Sequence, residues 1–393
     1  MGHWKAAAID EHLSEILTKI MHIAVINSYP LKRWCKVISV LLGKKQNKPN
    51  INGFRTVHII ESDLNYVMRH IWGREMLMWA EKHNAISATQ YGGRKGYQAQ
   101  SASLNKTLTL DVLTYYGEAA TIIDNDAQAC YDRIIPVVLA YALLRLGLPI
   151  YLVRFQINWL EQASYEINVQ GEFTQGYKTS EDKYLHGTGQ GTGWSPPSWS
   201  ALSDLISKIM QRHTPGFKIM HPDRSFTERV FYAFVDDVNS GLNQEAYDSF
   251  SPNEFATVHK QSSLLAQTQA NIQFYSKLLF TTGGKLALHK SYVYVLSMLW
   301  KDGYRKYEET HKKLPAFQIK QGFTDSIQEM KLASPKEARR MLGVYTAPDG
   351  NSKLQGDILL QKSQQWRANM NKHTLSTFET LMAYNQGILK SFC

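Results

Sequence analysis

Two short apolar runs in this chain end abruptly in carboxylates, and that pairing constrains the fold more than any other feature. Ala119 to Ile123 leads into Asp124-Asn125-Asp126, and RVFYAFV leads into Asp236-Asp237. A strand shows residues i and i+2 on one face, so Asp124 and Asp126 share a face if the first run stays extended. The second run, Arg229 to Leu242, reads as strand, tight acidic turn, strand, with Asp236 and Asp237 pushed outward. Carboxylates gathered in this way repel one another unless a cation intervenes. Mg²⁺ takes hard oxygen ligands and leaves room for phosphates. Two such ions, roughly 3.5–4 Å apart, clamp the attacking and leaving oxygens of a phosphoryl transfer. Taken alone, Asp-Asp after an apolar run is more often a plain turn. A calcium loop starting at Asp124 fails, because Ala129 and Ile135 stand where glycine and glutamate are needed.

The rest of the sequence supplies context. At 393 residues the chain makes two to three domain-sized units, and 44% hydrophobic residues are enough to fill a core. Forty-four Lys and Arg against 34 Asp and Glu leave a formal charge of +10, which favours a polyanionic partner, nucleic acid before membrane surface. Cys35, Cys130 and Cys393 are too few and too far apart for a disulfide framework or a zinc pair, so a reducing, intracellular compartment is expected. The N-terminus has no apolar signal core. The most apolar stretch, Ile134 to Val153, carries Arg145 and is broken by Pro136 and Pro149, so it reads as a buried helix of a non-membrane protein.

Apolar spacing predicts helices over 9–43, a strand over Phe54–Ile60 and a helix capped by Ser62 and running to about His83. A further helix is expected from Ile134 to Leu146, another after the glycine-rich turn Gly187–Trp199, and another over Asn271–Leu279. Strands follow the glycine turn in Thr281–Leu296. Residues 301–337 read as irregular, Glu337–Gly350 as a strand and turn, and the tail from Ser352 as helical. Strands and helices alternate without a regular βαβ rhythm, so the expected class is α+β.

The glycine-rich turn GTGQGTGWSPPSW holds no lysine, which removes a Walker loop, and its glycines at 187, 189, 191 and 193 do not make a dinucleotide fingerprint. A flexible turn is the plain alternative. Gln190 and the Ser195-Pro196 pair argue for something more specific.

In order along the chain, these pieces resemble the reverse transcriptase family, in the lineage of non-LTR retroelements and group II introns. The resemblance runs from about Lys45 to Pro348. An Asp, an aromatic five residues on, and a second Asp are matched by Asp126, Tyr131 and Asp132. The GxxQGxxxSP motif is matched by Gly187, Gln190, Gly191, Ser195 and Pro196, and the aromatic-x-Asp-Asp turn by Phe234, Asp236 and Asp237. A glycine turn leading to a lysine is matched by Gly283, Gly284 and Lys290, without the family's usual Asn and at a shorter spacing. Leu342-Gly343 resembles the primer-contacting motif. Upstream, FRTVHIIESDLN looks like the fingers strand that carries Arg55, and QYGGRKGYQAQSA like the loop that carries Arg94; Thr56 and Tyr97 depart from the family pattern.

The resemblance implies a right-hand polymerase: fingers over 1–117, palm over 118–350 with an interleaved fingers segment, and the helical start of a thumb over 351–393. It implies an RNA-directed DNA polymerase using an RNA template, a DNA primer and dNTPs, with two Mg²⁺ ions (Mn²⁺ as a substitute). Asp126, Asp236 and Asp237 are the implied metal ligands, Asp124 a tuning neighbour, and Lys290 the acid for the leaving pyrophosphate. Lys48 and Arg55 would meet the triphosphate, with Arg94 on the same side. Ala127 would offer a carbonyl, Tyr131 a gate against the ribose 2′-hydroxyl, and Gln190 a contact to the nucleotide. The glycines beside Gln190 would let template backbone approach closely, and Leu342 and Gly343 would touch the primer.

Two rivals remain. A viral-type RNA-dependent RNA polymerase would place an acidic residue where Tyr131 stands. A non-catalytic nucleic-acid-binding remnant is disfavoured by the three carboxylates. Only 43 residues follow Gly350, short for a whole thumb. No endonuclease, integrase or RNase H pattern is seen, so the chain is expected to be a fragment of a larger retroelement protein, or to leave those activities to others.

Overall fold

A computed structural model of the chain describes residues 10–43, 53–178, 185–243 except 222 and 224, and 257–384 except 324–325, 342–343, 373 and 375. The chain divides into two compact units that interleave in sequence. The first takes Met1–Lys95, Ala127–Ile209 and Tyr275–Leu286; the second takes Gly96–Asp126, Met210–Phe274 and Ala287–Cys393. The unit boundaries therefore differ from the sequence-based ones at 117 and 350. Lys48, Leu342 and Gly343 lie outside the described residues.

Strands are numbered in chain order; β6 (Phe217–Met220) and β7 (Phe226–Arg229) form a separate antiparallel pair in the second unit. In the first unit β1 (Lys36–Gly43) pairs antiparallel with β2 (Phe54–Ile59) and parallel with β4 (Ser164–Val169), which pairs antiparallel with the short β5 (Glu172–Phe173). Beside this sheet lies an aromatic core. Trp34, Trp72, Trp159 and Trp194 are fully buried. Trp194 meets Trp72 and Trp159 edge-on, with ring centroids at 5.3 and 5.1 Å. Each buried indole removes roughly 150–250 Å² from water, worth about 4–6 kcal/mol at ~25 cal/mol per Å². Their N–H groups are satisfied: Trp72 donates to Gln156 Oε1 at 2.9 Å, Trp159 to the Trp34 carbonyl at 2.8 Å and Trp194 to the Thr188 carbonyl at 3.2 Å.

The second unit is built on a six-stranded sheet in the order β13 (Phe317–Lys320), β14 (Ile327–Ala333), β10 (Tyr292–Leu296), β3 (Ala120–Asp126), β9 (Asp237–Asn243), β8 (Phe231–Phe234). Only the β10–β14 pair is parallel. The helix Ala99–Tyr116 lays Leu110 and Leu113 on one face, against Ala120, Ile122, Tyr232, Tyr294 and Leu296. On the other face the helix Thr257–Thr281 meets β3 through a Thr268–Thr121 hydroxyl pair at 2.7 Å. Gln269 and Gln273 of that helix bond the backbone of Gln318 and Lys320 on the edge strand β13. An edge strand with its free N–H and C=O groups covered in this way cannot template pairing with another chain.

Gly241 shows how tightly the central strands pack. A Cβ there would stand 2.2 Å from the Phe217 ring and 2.3 Å from the Thr121 carbonyl oxygen. Gly241→Ala is expected to cost about 1–3 kcal/mol, or more if the sheet cannot yield. A urea melt checks this: the midpoint should fall with the slope unchanged. Gly43→Ala, with open space around the position, should leave the midpoint in place.

Several sequence expectations need correction. Residues 36–43 are strand, not helix, because Val37, Ile38 and Val40 are stiff β-branched residues alternating on a half-buried surface. The helix after β2 starts at Ser62, but Glu61 takes the cap position, and a π-turn at Ile71–Met76 interrupts the helix before Leu77–Lys82. The apolar stretch 134–153 is split between the helices Pro136–Arg145 and Ile150–Gln162. Residues 301–337 are not irregular: they carry β12 (Tyr304–Tyr307), which pairs with β11 (Met298–Lys301), and the β13–β14 pair. The helix Ala99–Tyr116 has no sequence expectation at all. Its buried side includes Ala102, Ser103, Lys106 and Thr109, so no apolar stripe announces it. Among the described residues no helix is long and apolar enough to cross a membrane.

Candidate active site

The four aspartates singled out in the sequence lie in the second unit, at one end of β3 and β9. The register between these strands pairs Asp126 with Asp237, Asn125 with Val238 and Asp124 with Asn239. Cross-strand partners put their Cβ atoms about 4.5–5.5 Å apart on one face. Asp126 and Asp237 therefore stand together, with the pair Asp124/Asn239 behind them on the same face.

Asp236 sits in the two-residue turn between Phe234 and Asp237. Val235, the other turn residue, has φ +57°, whereas Asp236 keeps a negative φ. A positive φ at the first turn position alone is the type II′ pattern, where glycine is the usual occupant. A β-branched residue there holds strain of order 1–3 kcal/mol, and the paired strands on either side enforce it.

The two rows of the acidic face differ in charge. Lys106, buried on the helix Ala99–Tyr116, sets its ammonium 2.8 Å from Asp124 Oδ1 and 2.5 Å from Asn239 Oδ1. Asp124 is thus neutralised. The front row has no such cover. Lys290 Nζ stands 3.7 Å from Asp126 Oδ2, with the lysine side chain 59% exposed. The turn that carries Lys290 is fastened to Asp126 itself: Ala287 N donates to the Asp126 carbonyl, and Asp126 N donates to Ser291 Oγ at 3.1 Å.

These surroundings raise proton affinities. Removal from solvent pushes the Asp126 carboxyl up, with Lys290 opposing and Asp236 adding to the rise. The Asp237 carboxyl is pushed up to about 6, first by protein crowding around it, then by Asp236, Asp126 and Asp124. The folded chain holds this proton more tightly than the unfolded chain, so unfolding releases it and stability falls as pH rises from about 4 to about 6. Melting temperatures across that window should decline in the parent and decline less in Asp237→Asn.

The first unit holds the glycine-rich turn, and the turn is far from flexible. Ser195 Oγ donates within reach of the Thr188 and Gly189 carbonyls, Thr192 Oγ1 bonds the Thr188 carbonyl, and Trp194 is buried beneath. His58 N of β2 donates to the Gln190 carbonyl at 2.7 Å. The expectation that these glycines make room for template needs correction. A Cβ on Gly191 would meet the His58 carbonyl at 2.7 Å, and one on Gly193 would meet Arg69 Cγ at 2.6 Å and Asn65 Oδ1 at 2.7 Å. The glycines make room for this chain's own strand and helix. Burial drives the His58 imidazole down to about 4, so it sits neutral against Ser39 Oγ at 3.0 Å.

The other predicted residues of this unit are placed as follows. Arg55 is exposed on the edge strand β2. Gln190 is half-buried, and Ala127 is buried in a bridge to Leu286. Tyr131 accepts from Thr188 N through its carbonyl and lines a cavity of about 450 Å³ with Arg69, Leu77, Thr192 and Pro196. Arg94 is enclosed: it bonds Glu81 Oε1 at 3.1 Å and the Ser87 and Gln90 carbonyls at 3.2 and 3.0 Å. Its guanidinium staples its own loop. Sequence reasoning missed Lys106 and Ser291. Only a lysine spaced one turn from Leu110 on an otherwise weakly patterned segment hinted at the first.

Among the described residues no three acidic, histidine or cysteine side chains close around a single metal ion. The acidic cluster alone is a partial shell of oxygen donors.

No protein-family model and no curated protein matches this chain. Among solved structures it is similar to telomerase from Candida tropicalis in complex with a TWJ fragment of telomeric RNA. The identity is 10% and the TM-score 0.42, covering 67% of this chain and 41% of that one. Telomerase from Candida albicans, in the same kind of complex, is 13% identical at a TM-score of 0.40, covering 67% and 42%. Apo telomerase from Candida tropicalis truncated from its C-terminal domain is 13% identical at 0.38, covering 70% and 51%. The chain spans about two-fifths to one-half of the telomerase chains it matches. Likeness this loose leaves the assignment of function to the site's own geometry.

Proposed function

We propose that the chain is an RNA-directed DNA polymerase of the reverse transcriptase type. The observation that carries this is the cross-strand pair Asp126–Asp237 at one end of the sheet, with the solvated Lys290 beside Asp126, next to a strained turn that presents Asp236. The three carboxylates offer hard-oxygen donors of the kind Mg²⁺ uses. Mg²⁺ keeps several waters and substrate oxygens and needs only one or two carboxylates from protein, so a partial shell fits it. Bound there, Mg²⁺ would supply charge to activate the primer 3′-hydroxyl and to hold the triphosphate. Asp126 and Asp236 would be the ligands, with Asp237 assisting.

The remaining roles belong to this chain's own groups. Lys290 Nζ, solvated and next to Asp126, donates a proton to the departing pyrophosphate. Arg55 offers a bidentate fork to triphosphate oxygens. Tyr131 excludes a ribose 2′-hydroxyl. The lineage we propose is the non-LTR and group II intron one, on the QGxxxSP form of the glycine-rich motif. The RNA polymerase rival is disfavoured by Tyr131, which offers no carboxylate to a 2′-hydroxyl.

Arg55→Ala should raise the KM for dNTP severalfold with primer–template affinity nearly unchanged, because a triphosphate contact exists before chemistry. Steady-state extension and a duplex-binding titration check the two halves. Lost duplex binding with a normal KM would place Arg55 on the nucleic acid instead. The reading as a whole is tested by Mg²⁺-dependent extension of a DNA primer on an RNA template.

A further inference from the structure

Asp124 and Asp126 are the same residue type, on one strand and one face, two residues apart. Nothing in their own chemistry decides which of them takes a cation. We propose that Lys106 decides it: this lysine is a positioning residue that keeps Asp124 out of the cation site and leaves Asp126 as the ligand. The proposal rests on the polymerase reading only for what the cation then does.

The geometry supplies the argument. One helical turn advances about 5.4 Å, and two strand residues advance about 6.8 Å, so a row of side chains on a helix can track a row on a strand. Leu113 and Leu110 belong to the cluster that holds Ala120 and Ile122. One turn further, Lys106 meets Asp124 and its cross-strand partner Asn239. The next buried positions on the helix are Ser103 and Ala102, which carry no charge. The helix therefore delivers one cation, to the second carboxylate row, and none to the first.

The two lysines of the site also differ in kind. The Lys106 side chain is 7% exposed and holds two acceptors, so displacing it would leave a buried ammonium unpaired. Lys290 is mostly solvated at 3.7 Å from Asp126, so a divalent ion can displace it at little cost. The helix thereby turns a run of acidic residues into a single ligand position.

The test uses the full chain and Mn²⁺ alone, with free Mn²⁺ counted by electron paramagnetic resonance in the absence of nucleic acid and nucleotide. Lys106→Met frees the Asp124 carboxylate. It should bind Mn²⁺ about tenfold tighter, or bind one more ion, while primer extension falls about tenfold or more. Lys106→Met combined with Asp124→Asn removes both charges and should return both readouts to within about threefold of the parent. A merely structural lysine would leave Mn²⁺ binding by the folded single variant unchanged. If Lys106→Met does not fold, Lys106→Gln, which keeps donors but no charge, is read in the same way.

A folded single variant with the parent's Mn²⁺ binding overturns the proposal. So does a double variant that melts with the parent yet stays impaired. Because the Mn²⁺ measurement needs no template, a parent that extends no primer defeats the polymerase reading without deciding this one.

Discussion

Asp126→Asn is expected to abolish primer extension while leaving the fold intact. The amide keeps the shape of the side chain but not its anionic oxygen. If one lost charge-stabilising contact is worth about 3 kcal/mol, the rate falls at least about a hundredfold. The melting temperature should hold or rise, because Asp126 faces Asp236 and Asp237, and removal from solvent already disfavours its charge. Asp236→Asn should give a loss of the same order. Asp124→Asn should be milder in rate but harsher in stability, because it strips a buried ammonium of its anionic partner. An active Asp126→Asn beside an inactive Asp124→Asn would show that the two rows have been assigned the wrong way round.

The second large effect is expected at Tyr131. This residue lies five positions after Asp126 and lines the cavity of the first unit. If its ring bars a 2′-hydroxyl, forcing the extra atoms against it costs roughly 1–3 kcal/mol. That is about a ten- to hundredfold preference for dNTPs over rNTPs. Tyr131→Ala should erase most of this preference while dNTP extension persists at a reduced rate. Competition between dATP and ATP for one templated position reads the ratio directly. A folded, active variant that discriminates like the parent would leave Tyr131 as a packing residue, which its half-buried position also permits.

How much of this was legible in the sequence follows from where the information is stored. The β8–turn–β9 hairpin was legible because an unbroken apolar run ends at Asp236-Asp237 and the register needs nothing beyond that run. The shared face of Asp124 and Asp126 followed from the strand period alone. Neutralisation of one of them by Lys106 did not follow, because it depends on a helix whose buried side mixes serine, threonine and lysine with leucine. Periodicity reports apolar faces, and this face is held as much by polar pairing as by oil-like contact. The glycine-rich turn was recognisable as a motif, but its glycines were given the wrong neighbour. Their lack of Cβ serves His58, Arg69 and Asn65, which stand more than a hundred positions away in sequence. Arg94 shows the same limit: a cation in a glycine loop looks available until Glu81 and two carbonyls claim it.

The strands missed over 301–337 have a related cause. Ile327–Ala333 is mostly exposed on β14 and carries glutamine, glutamate and lysine. Its strand character comes from pairing with β10 and β13, which is a tertiary property. By contrast, β10, with Val293 and Val295 buried at the centre of the sheet, announced itself.

On the proposed function, the carboxylates at the end of β3 and β9 run nucleotidyl transfer to a DNA primer on an RNA template. The most direct measurement is single-nucleotide extension of a labelled DNA primer on an RNA template, by the parent and by Asp126→Asn, with dNTPs or rNTPs, with and without Mg²⁺. The expected result is Mg²⁺-dependent extension by the parent, strong with dNTPs and weak with rNTPs, and none by Asp126→Asn. Equal extension by parent and variant would contradict the site, and a parent that prefers rNTPs would contradict the assignment to reverse transcription.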